Sequence, residues 1–505
     1  MKPNIVFITS DQQRRDSLGI YGCRYVSTPN LDRLGSQATV YEHCYCNAPV
    51  CTPSRACMMT GKTMPGHGVY NLFDILPENE KMLPYYLREQ GYETALVGKL
   101  HVSGTEYEVN QRNPGDGFDI YDLSHEPSVY TEAPYNAYAR WLLENYPDEW
   151  RAIRAEGRKR RHRSAETHFS TWVSERSAEV IRNRDKSKPL YLQVGYFDPH
   201  NPYDHYPLES EQLLHPEYYP ETIPDDVSAM PEGLRLEGYY HCPATLGATG
   251  DGDRKIRKGY FSGVSFLDQQ IEKIFQALKD EGIYDNTLII YTSDHGDMLG
   301  DHGLYSKGAM FYEQGVNVPL IVKFPHQTQG CRSEDLVMLE DMFSTIYTAA
   351  GGDASFRPES LALQGDKKHE FAMTEYRGCG KFDLMGFPHI LHATMIRTAE
   401  WKLNLYHDTC EGQLFHMTED PQEKHDLYHD PAYAGKVMEL MQMYLRYDAE
   451  RDCFTLENYS GNGTFLADGR RMEDGDAADL HSGDRFYLVD QHILFEVNDQ
   501  APERG

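Results

Sequence analysis

The most specific chemical signal in the sequence is a cysteine at the start of a predicted helix. Pro53 follows Cys51 by two positions, and proline favours the first turn of a helix because its missing N–H would be unpaired there anyway. A side chain at such a start faces free N–H groups and the positive end of the helix dipole, which favour an anion. Arg55 adds donors that suit a tetrahedral oxyanion. This pattern predicts a reactive Cys51, although C-x-P alone is more often a buried cysteine beside an ordinary helix.

Two apolar runs end in acids and predict strands that deliver carboxylates. Residues 4–10 precede Asp11, and residues 287–293 precede Asp294. Continuous apolar runs fit parallel strands covered on both faces, and open α/β sheets bind ligands beyond the carboxyl ends of their strands. Asp11 and Asp294 should therefore reach the same sheet edge, although Asp11 by itself could equally cap a turn. Carboxylates and the Gln12 amide are hard oxygen ligands that suit Ca²⁺ or Mg²⁺.

The spacing of several motifs resembles the type I sulfatases of the alkaline-phosphatase-like superfamily. The motifs are C-x-P-S-R with T-G over residues 51–61, G-K-x-H over 98–101, and S-D-H-G-x-x-x-G-D-H-G, K-G, Y-E and V-P-L-I-V over 293–322. The resemblance implies that a formylglycine-generating maturation enzyme oxidises Cys51 to formylglycine, whose hydrate attacks sulfur. It also implies one divalent cation, for which we expect Ca²⁺, with Mg²⁺ or Mn²⁺ as alternatives.

The same resemblance assigns the side chains of the site. The implied metal ligands are Asp11, Gln12, the modified Cys51, Asp294 and His295. The side chains expected around the sulfate are Arg55, Lys99 and Lys307. One of His101 and His200 would protonate the leaving alcohol, and the other would take a proton from the aldehyde hydrate. Many relatives have an acid at the position of Gln12 and Asn at that of His295, so the metal's identity stays open.

The substrate is less well defined by the sequence. We predict that His67, Tyr70 and Asn71 contact it, and that residues 203–255 form a long, partly ordered loop over the site. These polar residues favour a small-molecule or oligosaccharide sulfate ester, in particular a sulfated sugar or glycosaminoglycan fragment. Choline sulfate or an aryl sulfate is an alternative, and a phosphonate monoester or phosphodiester hydrolase is the nearest rival. A non-catalytic scaffold using its C-terminal tail is the alternative of another class.

Composition narrows the range of partners. The chain of 505 residues has 49 basic and 78 acidic residues, a net charge of −29, which argues against binding to nucleic acid or anionic membranes. The ten cysteines lack a metal-ligand spacing, and no recognisable signal peptide precedes the first strand. We therefore expect free thiols and a cytoplasmic location. The basic run over residues 158–163 predicts an exposed helix or loop, or alternatively an insertion that attracts a polyanionic substrate.

The predicted fold is α/β, with a mostly parallel central sheet flanked by helices, a smaller C-terminal antiparallel α+β subdomain and a β-rich tail. The predicted domains are residues 1–380, 381–452 and 453–505. Further predicted elements are helices over 82–90, 266–278 and 431–447 and strands over 94–97, 189–197 and 318–324. If the backbone stays extended after the strand 94–97, Lys99 and His101 lie on one side. The tail faintly resembles half of a forkhead-associated domain, but we expect a β-hairpin appendage that contacts the body or a neighbouring subunit of a homo-oligomer.

Overall fold

The computed structural model describes residues 2–240, 252–378, 392–407, 409 and 411–442, and then the backbone of seven short strands between residues 446 and 496. The predicted mostly parallel sheet is present. Its eight strands are β1 Asn4–Ser10, β2 Thr39–Tyr45, β3 Glu93–Gly98, β4 Ile120–Leu123, β5 Leu190–Gly195, β6 Thr287–Ser293, β7 Leu320–Lys323 and β8 Cys331–Met338. They lie in the order β4-β3-β5-β1-β6-β7-β2-β8, and β7 runs antiparallel to both of its neighbours.

Helices cover both faces of this sheet. They are α1 Pro29–Gly35, α2 Cys51–Thr60, α3 Met64–His67, α4 Leu83–Glu89, α5 Thr105–Asn110, α6 Ala137–Asn145, α7 Pro147–Glu156, α8 Phe169–Asn183, α9 Glu232–Tyr240, α10 Gly252–Asp280, α11 Glu313–Val316 and α12 Asp341–Ala349. Residues 232–240 and 252–255 are helical, so the prediction of a loop over 203–255 is wrong for these residues. The apolar side chain of Leu234 attaches α9 to the core. In the described part of the chain, none of the helices has the length and apolar character needed to cross a bilayer.

The position of β1 between two layers of helices explains why its sequence is apolar without alternation. Ile5 and Phe7 join one core with α2 and α12, whereas Val6 and Ile8 join a second core with α8 and α10. Because successive side chains of a strand point to opposite faces, a strand buried between two helical layers needs apolar residues at every position. The same condition holds for β6, which is buried throughout.

A second, antiparallel sheet forms the smaller unit. Its strands are β9 Ala372–Arg377, β10 His392–Arg397, β11 Trp401–Tyr406 and β12 Glu411–His416, in the order β12-β11-β10-β9. Helix α13, Ala434–Gln442, packs on it through Val437 and Leu440. This helix is shorter than predicted, because residues 446–448 already form a strand. The first strand of this sheet lies before residue 381, and the predicted domain boundaries remain predictions.

The tail is β-rich, as predicted, but it forms two antiparallel sheets instead of one hairpin. Its strands are β14 Cys453–Glu457, β15 Thr464–Leu466, β16 Arg471–Met472, β17 Ala477–Leu480, β18 Arg485–Leu488 and β19 Ile493–Glu496, and β13 Arg446–Asp448, which precedes the predicted tail, pairs with β14. The first sheet has the order β13-β14-β17 and the second the order β16-β15-β18-β19. The predicted oligomer contact involves side chains outside the described residues and remains a prediction.

Candidate active site

Two neighbouring parallel strands bring the two predicted acids together. The register of β1 and β6 pairs Ser10 with Ser293, so Asp11 and Asp294 leave the sheet side by side. Both carboxylates are fully buried. A buried pair of acids is costly unless cations or hydrogen-bond donors compensate it. The remaining residues of the site provide that compensation.

Cys51 is the first residue of α2 and faces this pair of acids. Its Sγ lies 3.6 Å from Asp11 Oδ1, 3.1 Å from His295 Nε2 and 2.8 Å from Lys307 Nζ. Burial and Asp11 both raise the pKa of the Cys51 thiol, but the ammonium groups of Lys307 and Lys99 outweigh them and the pKa is lowered. The cysteine of the signature motif therefore lies in an electropositive position at a helix start.

Four side chains form a cluster suited to a metal ion. One ligand atom each of Asp11, Cys51, Asp294 and His295 lies within 4.8 Å of the other three. His295 Nδ1 lies 2.9 Å from the Gly296 carbonyl oxygen, which can only accept a hydrogen bond. The proton is therefore on Nδ1 when the ring is neutral, and the lone pair of Nε2 faces the cluster.

Gln12, which directly follows Asp11 in the chain, is a further candidate ligand. Its Nε2 donates to Asp297 Oδ2 at 2.6 Å and to the Tyr203 hydroxyl at 3.2 Å. Its Oε1 is buried and, among the described residues, has no hydrogen-bond partner. A buried acceptor without a donor is rare and suits a cation ligand, so the residues present fit a divalent ion. Asp297, which accepts from the Gln12 amide, is not among the predicted site residues, although the S-D-H-G-D segment contains it.

Arg55 lies beneath the acids and has protein partners. Its Nε donates to Asp294 Oδ2 at 2.7 Å, and its two terminal nitrogens reach the Ser10 carbonyl oxygen at 3.1 Å and the Lys99 carbonyl oxygen at 3.4 Å. The side chain is 2% exposed. The contacts of Arg55 therefore fix Asp294, whereas its predicted contact with sulfate remains untested.

Two lysines complete the charge balance. Lys99 Nζ donates to Asp11 Oδ2, and Lys307 Nζ lies 2.8 Å from both Cys51 Sγ and His200 Nε2. Burial favours the neutral acid, but Lys99, Lys307 and Arg55 hold the pKa of Asp11 well below its ordinary value. The site thus has a local concentration of cations within a strongly acidic protein.

The two predicted proton-transfer histidines, His101 and His200, lie in different loops and have different hydrogen-bond partners. His101 has a φ of +59°, so the expectation of an extended backbone from Lys99 to His101 is wrong. Its Nε2 lies 3.0 Å from Thr52 Oγ1. His200 Nδ1 lies 2.6 Å from the Asn201 carbonyl oxygen and its Nε2 faces Lys307. Burial, together with the nearby Lys99 and Lys307 charges, places the pKa of both rings well below 6.5, so both are neutral at pH 7.

The three predicted substrate contacts are not brought together. His67 is 2% exposed, with Nε2 3.2 Å from Cys57 Sγ and Nδ1 accepting from the Val69 N–H at 3.1 Å. The predicted substrate contact of His67 is therefore wrong, because both ring nitrogens have protein partners. Tyr70 and Asn71 lie half-buried in the loop whose Leu72 carbonyl oxygen accepts from Thr52 Oγ1 at 3.4 Å. They remain next to the start of α2.

The basic run forms local ion pairs. The pairs are Arg158 with Glu126, Arg160 with Glu149, and Arg161 with Asp204. Arg163 is buried and donates to Ser128. Three arginines of the run are therefore paired with neighbouring acids and a fourth is buried, which favours the interpretation as a local surface structure over an insertion that attracts a polyanion.

The chain is similar to known proteins over most of its length. The chain is 26% identical to an arylsulfatase of Clostridium perfringens, over 88% of this chain and 94% of that protein. It is 24% identical to an N-acetylglucosamine-6-O-sulfatase of Bacteroides thetaiotaomicron, over 88% and 85% respectively. The crystal structure of the phosphonate monoester hydrolase of Agrobacterium radiobacter superposes with a TM-score of 0.71 at 21% identity, covering 88% of this chain and 95% of that one.

The eight-stranded sheet has the fold of this solved structure, and four side chains near the ends of β1 and β6 form a possible metal site. Residues 3–352 match the family model Sulfatase, and residues 300–450 match the model described as N-sulphoglucosamine sulphohydrolase, C-terminal, which places the chain in the alkaline-phosphatase-like superfamily. The chain belongs to the sulfatase family and is an enzyme that hydrolyses sulfate esters. This result overturns the alternative of a non-catalytic scaffold.

Proposed function

We propose that the enzyme cleaves a sulfate ester of a sugar, with formylglycine made from Cys51 and one divalent cation, for which we favour Ca²⁺. The observation that carries the proposal is the contact of Cys51 with Asp11, His295 and Lys307 at the start of α2. When present, the cation would neutralise the sulfuryl oxygens and the aldehyde hydrate would supply the oxygen nucleophile. The proposed cation ligands are Asp11, Gln12, Asp294, His295 and the modified Cys51.

The other residues of the site bind the sulfate and move protons. Lys99 and Lys307 carry the positive charge that compensates the sulfuryl oxygens, and Arg55 keeps Asp294 in place. Lys307 Nζ lies 2.8 Å from His200 Nε2, so this pair can give a proton to the leaving oxygen. His101, at Thr52, is then the candidate acceptor for the proton of the nucleophile. Removing one such donor typically costs roughly 100- to 1,000-fold in kcat.

A sugar is the proposed substrate because polar side chains lie next to Thr52. Tyr70 offers a phenol that suits sugar hydroxyls, and the Arg377 guanidinium lies 4.3 Å from its ring centroid. The Asn71 amide donates to Asp74 Oδ1 and accepts from the Phe73 N–H, both at 2.9 Å, and keeps one N–H and one lone pair for a sugar hydroxyl. One relative is named for action on N-acetylglucosamine 6-O-sulfate. Choline sulfate and aryl sulfates are tested alongside.

The proposal is tested with protein produced in a host able to convert the cysteine. Mass spectrometry of the Cys51 peptide measures the fraction of formylglycine. We then expect kcat/KM on sulfated disaccharides to exceed that on nitrophenyl sulfate or choline sulfate, and Cys51→Ala to abolish turnover. Fully converted, calcium-loaded enzyme that turns over none of the sulfated disaccharides would overturn the sugar assignment.

A phosphonate monoester hydrolase is the second candidate, because a phosphonate monoester hydrolase superposes over 88% of this chain. The discriminating measurement is kcat/KM on a phenylphosphonate monoester under the same conditions. A large preference for the phosphonate over every sulfate ester would replace the sulfated sugar as the proposed substrate.

A further inference from the structure

A buried carboxylate outside the predicted site holds the turn that carries His101. Glu108 is 3% exposed and lies in α5, seven residues after His101. Its Oε2 accepts from the His101 N–H at 2.9 Å, and its Oε1 accepts from the N–H groups of Val102 at 2.7 Å and Ser103 at 2.8 Å. Three consecutive backbone N–H groups thus converge on one side chain, which is a backbone nest of the kind that binds anions.

A second histidine uses the remaining acceptor capacity of this carboxylate. His125 Nε2 lies 2.6 Å from Glu108 Oε2, and His125 is also 3% exposed. A carboxylate has about four lone-pair sites, so these four donors saturate it. The His125 ring also packs edge-to-face on the His101 ring, with centroids 4.5 Å apart. Glu108 therefore controls both the backbone of His101 and the ring that packs against it.

His101 needs this support because its own conformation is unfavourable. A non-glycine residue with φ of +59° lies in the left-handed region, where its Cβ comes too close to the following carbonyl oxygen. Its Nδ1 is buried and has no hydrogen-bond partner among the described residues. No hydrogen bond at Nδ1 thus orients the ring within the described part of the chain. The ring is held at Nε2 by Thr52 Oγ1 at 3.0 Å and Thr105 Oγ1 at 3.4 Å, and otherwise by the backbone turn and by His125.

We propose that Glu108 is a positioning residue for the sulfatase reaction and that it acts through His101. His125, which contacts both Glu108 and the His101 ring, is a second positioning residue. The inference rests on the proposed role of His101 in proton transfer. Replacing Glu108 with Gln removes one acceptor oxygen and places an NH₂ group against N–H donors. The turn would then relax from the left-handed conformation, and His101 Nε2 would leave its position at Thr52.

The test is a double-mutant cycle of Glu108→Gln and His101→Ala, with rates divided by the formylglycine content of each preparation. We expect Glu108→Gln to lower kcat on the order of 10- to 100-fold, the range for residues that orient a site residue, and to change KM less than about twofold. In the His101→Ala background the same substitution should change kcat less than about twofold, because interacting residues are non-additive. Glu106→Gln is the matched control, since Glu106 is exposed on the same helix.

Two results would overturn the inference. One is an equal loss from Glu108→Gln in both backgrounds, which indicates a general structural effect. The other is wild-type kcat for Glu108→Gln. If this variant fails to fold, Glu108→Asp, which keeps both oxygens on a shorter side chain, is measured in the same cycle under the same criteria. Wild-type enzyme that contains formylglycine and hydrolyses no sulfate ester instead overturns the proposed function, so the two failures are distinguishable.

Discussion

Replacing Lys402 with Met should destabilise the protein by an amount that increases with pH. Lys402 comes from β11 and is fully buried, with Nζ 2.8 Å from Glu313 Oε1 and 2.7 Å from Glu423 Oε1. Glu313 begins α11, in which the Gly315 carbonyl oxygen accepts from the Gly296 N–H at 2.8 Å. The ion network of the small sheet therefore supports the turn directly after His295.

The expected cost follows from the charges left behind. Removing one partner of a buried ion pair costs about 3–5 kcal/mol. Protonating one glutamate instead costs about 1.4 kcal/mol per pH unit above its ordinary pKa of about 4.3, so the loss is about 4 kcal/mol at pH 7 and about 1 kcal/mol at pH 5. Burial already raises the pKa of Glu423 to about 7 even with Lys402 opposing the shift. Without Lys402 the folded variant binds more protons than the unfolded chain, so its stability falls as pH rises.

The assay is urea unfolding of wild type and Lys402→Met between pH 5 and pH 8. The double variant Lys402→Met/Glu423→Gln should recover most of the lost free energy of unfolding. It removes the Glu423 carboxylate together with the Lys402 ammonium group, so that one carboxylate fewer is buried without its partner. Lys436→Met removes an exposed pair with Glu439 and should change the free energy of unfolding by less than about 1 kcal/mol. A loss in Lys402→Met that is the same at pH 5 and pH 7 would refute the reasoning.

Two further predictions concern the cation site and a buried histidine. Calcium at 100 times its Kd should stabilise the wild type by about 2.7 kcal/mol and should stabilise Asp294→Asn much less, because this variant lacks a proposed ligand. The measurement is the calcium-induced rise in the thermal unfolding midpoint of both proteins, and equal rises would contradict the proposed ligand set. Burial lowers the pKa of His67 to about 3. The neutral buried ring therefore contributes its full stabilisation above pH 6.5. As the pH falls below 6.5 the unfolded chain binds a proton that the folded protein does not, and the free energy of unfolding decreases by about 1.4 kcal/mol per pH unit. His67→Gln should reduce that slope between pH 6 and pH 5 in urea unfolding, and an unchanged slope would show that His67 is protonated in the folded state.

The sequence was most informative where a single physical rule links residues far apart in the chain. The apolar runs before Asp11 and Asp294 predicted buried parallel strands, and parallel strands bring their carboxyl ends to one edge. Cys51 followed by Pro53 likewise predicted the first residue of α2. These inferences need only local composition and the rules of sheet geometry.

Other features depend on contacts that local patterns do not encode. The left-handed His101 needs Glu108, and nothing in G-K-L-H predicts that a glutamate seven residues on binds its turn. The direction of β7 depends on the connection through α11 and not on its apolar composition. His67 follows the signature motif closely, yet it lies at the end of α3 and its Nε2 contacts Cys57 Sγ.

Because Cys51 is only 2% exposed in the folded protein, its proposed conversion to formylglycine has to precede the completion of folding. Its neighbours come from β1, from the turn after β6 and from the segment carrying Lys307, so the thiol is enclosed only once residues more than 240 positions apart have met. Under the proposed chemistry, a converting catalyst has access to residue 51 while the later part of the chain is still unfolded or unsynthesised. Fast folding of the sheet would then compete with activation, so a slower-folding variant could emerge from the cell with a larger converted fraction.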